Sequence, residues 1–150
     1  MRNRKSKRGY LLIESLYAIF FIFMAAMVIT ATLPVSNVSR YDAQLQDKAM
    51  DLAQKQIEAI RTLGFANANP AQLLSNGLID NTVEVSDNTY TFTNVDSSNL
   101  DNPATVLPTG AGTVTINSLS ADFVQVIVTV TWTNQGTPQT YTVGTLIAQL

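Results

Sequence analysis

Leu11 to Val35 reads LLIESLYAIFFIFMAAMVITATLPV, and from Ser15 to Ser39 no residue is charged. As a helix, a run of this length spans roughly 37 Å at about 1.5 Å per residue, enough for a hydrocarbon layer about 30 Å thick. Around Ile19 to Ile29 it is apolar on every side, which suits lipid or a helix bundle better than one face of a soluble core. The hydrophobic region of a secretory signal peptide is shorter, about 7–15 residues, and ends in a small-x-small site. Ala25-Ala26 or Thr30-Ala31-Thr32 would have to supply that site, and Glu14 would have to sit inside the apolar run.

Charge is distributed around this stretch with a strong asymmetry. The 150 residues hold 9 Lys+Arg and 11 Asp+Glu, a net charge of −2. Arg2, Arg4, Lys5, Lys7 and Arg8 lie before the apolar run, where there is no acid. From residue 10 onward only Arg40, Lys48, Lys55 and Arg61 face all 11 acids, and no cation follows Arg61. Basic flanks stay in the cytoplasm. An acidic remainder without clustered Lys or Arg argues against nucleic-acid binding. With no Cys and no His, disulfides, thiol catalysis, His general bases and most zinc sites are excluded. No glycine-rich phosphate loop occurs. The inventory points to a non-enzyme without a cofactor.

Glu14 is the costly residue, since a carboxylate near a membrane span is by default functional and needs a partner. Upstream, Lys7-Arg8-Gly9-Tyr10-Leu11-Leu12-Ile13-Glu14 places Gly after the basic stub, then an aromatic, three aliphatics, and Glu five residues past the Gly. This string resembles the class III signal of type IV prepilins and pseudopilins. The likeness rests on residues 1–65. It implies cleavage between Gly9 and Tyr10 by a membrane prepilin peptidase on the cytoplasmic side, after the basic charge of Lys7 and Arg8. Glycine lets the backbone approach a catalytic pair closely. It further implies N-methylation of Tyr10, and assembly in which Glu14 meets the N-terminal amine of a neighbouring subunit. Other pilins or pseudopilins and an inner-membrane assembly platform are the implied partners. The implied location is an inner-membrane precursor with its head outside, then a periplasmic or extracellular filament.

Several residues depart from the commonest family pattern. Tyr10 stands where Phe is usual, Leu11 where Thr is frequent, and Pro34 lies later than the usual helix-weakening proline. No Cys pair closes a C-terminal loop. The helix Ala49 to Phe65 looks like that of minor pilins and minor pseudopilins. The rival expectation is an uncleaved, signal-anchored surface protein whose β-domain binds a ligand or adheres.

The expected fold is α+β: a pilin-like roll with a long N-terminal helix packed on an antiparallel sheet of about four or five strands. Residues 1–9 form the leader, 10–64 the helix (transmembrane over about 11–35), and 65–150 the sheet head. Pro34 should kink or locally open the helix. Val38, Tyr41, Leu45, Ala49, Leu52, Ala53, Ile57, Ile60 and Leu63 recur as one apolar stripe. Asp51–Lys55 and Glu58–Arg61 are favourable pairs, and Gly64 is a left-handed cap backed by Phe65. Asn69-Pro70 opens a short helix near 70–75.

Further along, 82–86 and 89–95 read as a hairpin around Asp87-Asn88, and 96–112 as a loop. Strands follow at 113–117, 122–133 and 140–148, with 134–138 as the turn. On the second of these Val124, Val126, Val128, Val130 and Trp132 line one face. Asp96, Ser98, Asn99 and Asp101 offer oxygen ligands at short spacing. The EF-hand pattern and a bidentate Glu are absent, so a solvated loop is favoured over calcium. The family resemblance adds that major pseudopilins often bind calcium in this region.

Overall fold

The structure, a computed structural model, describes residues 7–95 and 100–149. Side-chain surroundings within the first helix are described for 13–30 and from 38 onward. The protein is α+β, with an N-terminal apolar helix and a four-stranded antiparallel sheet. The chain divides into two units, 1–41 and 42–150.

Helix α1 runs from Lys7 to Leu63, 57 residues, and is continuous through Pro34. The opening expected at that proline does not interrupt it. One missing backbone hydrogen bond is tolerated where the helix continues for many turns on both sides. The helix also begins before Tyr10, so Lys7, Arg8 and Gly9 belong to its first turn. Arg61 sits in the last turn, where a cation complements the dipole. Gly64 follows with φ 77° and ψ 173°. That is not the left-handed cap expected but a region essentially confined to glycine. Phe65 starts a 3-10 turn, Phe65–Asn67, and packs against the core.

From Leu45 on, the helical stripe is buried as the spacing predicts: Leu45, Ala49, Leu52, Ala53, Ile57 and Ile60 all join the core, with Leu63 packed against it. Val38 and Tyr41, assigned to the same stripe, are 44% and 49% exposed. The stripe therefore stops being core one turn before Leu45. Asp51 and Lys55 form the expected pair at 2.8 Å. Among the described ion pairs Glu58–Arg61 is absent.

Helix α2, Pro70–Ser75, has the expected cap: the Asn69 side chain accepts from the Gln72 N–H and Pro70 opens the first turn. A second Asn-Pro start lies in the region read as a loop. There the Asn102 side chain accepts from the Ala104 N–H and opens α3, Pro103–Val106. Four residues are too few to show helical periodicity, which is why composition read as loop.

The sheet is a meander in the order β1-β2-β3-β4, from β1 Thr89–Thr91, β2 Ala111–Ser118, β3 Phe123–Asn134 and β4 Thr137–Ala148. Period-two alternation holds along β2, β3 and β4 from Tyr141 on. Val124, Val126, Val128, Val130 and Trp132 are buried on one face of β3. Their β4 partners are Ile147, Thr145, Val143, Tyr141 and Gln139. The turn between β3 and β4 is shorter than the five residues expected. Gln135 and Gly136 take φ of 50° and 79°, so two residues close the hairpin in the mirror-image geometry that suits strand twist. Pro138 thereby falls inside β4, which tolerates it as an edge strand.

The hairpin expected around Asp87-Asn88 survives only as a tight turn. Ser86 and Thr89 form an isolated bridge and 82–86 is not a strand. Local side-chain bonds hold the backbone instead. Asn81 Oδ1 accepts from Val83 N–H, and the Asp80 carboxylate accepts from Thr93 and Asn94 N–H, cutting β1 to three residues.

Ile60 has no exposed surface and Val38 is half open. Ile60→Ala should therefore lower unfolding free energy by about 2–5 kcal/mol, whereas Val38→Ala should change it by under about 0.5 kcal/mol. Denaturant titration of the two variants measures the contrast.

Candidate functional site

The first unit carries the sequence-derived site. Ile13–Thr30 is long and apolar enough to cross a membrane, and none of these residues is buried. Thr30, the polar residue at its end, donates its hydroxyl to the Ala26 and Met27 carbonyls at 2.8 and 3.0 Å. Its hydrogen-bonding demand is thus met within the helix, as hydrocarbon requires. Leu16, Tyr17, Ile19, Phe20 and Phe23 line an open apolar groove along this segment. Phe20 and Phe21 make an edge contact with centroids 6.2 Å apart.

Glu14 is exposed at the start of this segment. Gly9 and Tyr10 lie in the helical backbone one turn before it. Tyr10 and Glu14 are i,i+4 and therefore share a helix face, with an axial offset of about 6 Å. The Gly9–Tyr10 peptide lies inside α1.

In the second unit Asp51, Asp80, Glu84 and Asp101 hold partners within the head. Lys55 bridges Asp51 at 2.8 Å and Asp101 at 3.2 Å. Its ammonium pKa is raised by the hydrogen bond to Asp51 first and that to Asp101 second. All three groups are exposed, so the bridge adds little stability. Asp101, one of the calcium candidates, thus has a cation beside it. Asp96, Ser98 and Asn99 lie outside the described residues. Among the described residues no group of three or more Asp, Glu, His or Cys could hold a metal.

Two polar features were not legible in the sequence. Gln56 sits within the apolar stripe, 1% exposed, and donates from Nε2 to the Leu78 carbonyl. It joins the helix to the segment after α2, a contact that helical spacing alone does not reveal. The other is a polar cavity of about 290 Å³ lined by Asp42, Gln46, Trp132, Asn134, Gln139, Thr140 and Tyr141. Trp132 Nε1 and Asn134 Oδ1 are buried without a partner. Their atoms are sealed from solvent, so they do not present a donor and acceptor to a ligand in that cavity.

These features define a membrane-anchor candidate joined through one helix to an α+β head. No family model, curated protein or solved structure matches the chain.

Tyr90 gives the head a titration marker. Burial raises its phenol above the ordinary value of 10.0, and the Glu84 carboxylate that accepts its proton at 2.8 Å raises it further. A raised folded pKa means that the folded state holds the proton more tightly. The resulting stability is complete below about pH 10 and is lost as pH rises through the folded value. Ultraviolet titration should show a phenol step above the ordinary tyrosine value. Tyr90→Phe should remove that step and Glu84→Gln should move it downward.

Proposed function

We propose that this chain is a structural subunit of a type IV pilus or related secretion pseudopilus, of the minor-pilin kind. The reading is carried by one coincidence: a basic stub, Gly9, the aromatic Tyr10 and Glu14 at a fixed offset, placed at the head of the apolar helix segment Ile13–Thr30. A prepilin peptidase releases the leader and N-methylates Tyr10. The precursor waits in the inner membrane with its leader in the cytoplasm and its head outside. An assembly platform then stacks it with other pilins into a periplasmic or extracellular filament, and the head adopts a pilin-like roll. The work is assembly rather than catalysis.

Elementary electrostatics explains why Glu14 matters in such a filament. A carboxylate in low dielectric is tolerable when paired, and the Tyr10 amine of a neighbour is an equally costly cation. Correct axial stagger brings the two together, while a wrong stagger leaves both unpaired. A head-to-tail contact of this type does not close on itself and generates a helical polymer.

Glu14→Ala should leave membrane insertion and leader removal unchanged. Its recovery in sheared filaments should fall about tenfold or more, because breaking a buried ion pair costs ~3–5 kcal/mol. Recovery equal to the unmodified chain would sink the pairing role.

A further inference from the structure

The chain has a single Asn-Gly step, Asn76-Gly77, and the fold uses it to end α2. Asn76 is the C-cap, with φ −94° and ψ 6°. Gly77 follows at φ 65°, a left-handed backbone that glycine adopts without strain. The Gly77 N–H donates to the Leu74 carbonyl at 3.0 Å and the Leu78 N–H to the Leu73 carbonyl at 2.9 Å. These two bonds make a Schellman cap, and its hydrophobic pair, Leu73 and Leu78, lies in the core. The Asn76 side chain is exposed, and its Nδ2 donates to the Gln72 carbonyl at 2.7 Å.

Asn-Gly is also the step at which the backbone attacks a side-chain amide with least hindrance, because glycine has no side chain to screen its nitrogen. The Gly77 nitrogen loses its proton and bonds to Asn76 Cγ. The Cγ–Nδ2 bond breaks, Nδ2 leaves as ammonia, and a five-membered imide remains. Water then adds to one of the two imide carbonyls. Opening at one gives Asp; opening at the other gives isoaspartate, in which the main chain runs through Cβ and Cγ. The cap opposes the first step. At ψ 6° the Gly77 nitrogen nearly eclipses the nitrogen of Asn76 and is turned away from Cβ, whereas ring closure needs it beside the side chain. Rotating that bond breaks both Schellman bonds.

We propose that Asn76 is a deamidation site held closed by the C-terminal cap of α2, and that its isoaspartyl product releases the buried bond between Gln56 and Leu78. The proposal goes beyond the filament reading and does not depend on it. Gln56 is 1% exposed and its Nε2 donates to the Leu78 carbonyl, while its Oε1 is buried without a partner. Position 78 is therefore fixed from both sides, by α2 and by the long helix. Isoaspartate adds one main-chain carbon two residues before it, so the cap and the Gln56 bond cannot both be kept in register. The new carboxylate also cannot donate to the Gln72 carbonyl, and it stands at the helix end where the dipole opposes negative charge.

The full chain in detergent micelles and a synthetic peptide of residues 70–80 are incubated side by side at mildly alkaline pH. Peptide mass spectrometry follows the amide-to-acid change at Asn76. The chain should react about tenfold more slowly than the peptide, because the open form of α2 is a minor population. Asn69→Ala removes the cap at the other end of α2, away from the reacting atoms. It should speed the reaction in the chain about fivefold. The isoaspartyl fraction should melt below both the unmodified chain and Asn76→Asp, which carries the charge without the extra main-chain carbon. A chain that reacts as fast as the peptide, or an Asn69→Ala rate equal to that of the unmodified chain, would overturn control by the cap. No reaction in either chain once the peptide has converted would overturn the site itself. An isoaspartyl fraction that melts with the unmodified chain would overturn the link to Gln56.

Discussion

Burial of the α1 stripe from Leu45 to Ile60 against the inner faces of the sheet is the contact on which the head depends. The sheet alone is a four-stranded meander with a three-residue strand at one edge. Its valines, Val124 to Val130, need an apolar layer over them. The lower half of α1 is that layer. Phe92, Leu73, Leu78 and Leu107 close the core from the connecting segments. Loss of the helix would leave a head of modest size with one face of its sheet open to water.

The same helix meets a different constraint in its first half. Ile13 to Thr30 has no buried residue and almost no polar group. Such a surface is stable in lipid or among other helices, not in water. One continuous helix therefore carries two kinds of surface, an apolar ring in its first half and an apolar stripe in its second. The change falls between the exposed Tyr41 and the buried Leu45, where Asp42 also begins the second compact unit. Under the proposed function, the upper half exchanges lipid for neighbouring helices during assembly, and Glu14 exchanges solvent for an amine.

Legibility in the sequence followed the range of the interaction. The β3 alternation, the buried stripe and the Asn69-Pro70 cap are set by neighbours a few residues away, and each was readable. The two-residue turn is hidden in the sequence because Gln135 adopts a left-handed backbone that Asn or Gly would announce more clearly. The 82–86 segment alternates like a strand but does not form one, because side-chain bonds from Asp80, Asn81 and Glu84 hold the backbone instead. The Asn102-Pro103 cap carried the same signal as Asn69-Pro70 but was lost in polar surroundings. The Lys55–Asp101 bridge and the Gln56–Leu78 bond join residues 46 and 22 positions apart and depend on the tertiary fold. The Gly9, Tyr10 and Glu14 pattern is local in the same sense, which is why the functional reading begins there.

The central claim is that the chain is processed at Gly9–Tyr10 before it assembles. Mass spectrometry of the mature N-terminus in the membrane and sheared fractions tests it most directly. The account predicts a chain that begins at N-methyl-Tyr10. A chain that retains Met1, or one that begins within about residues 26–32, would contradict it.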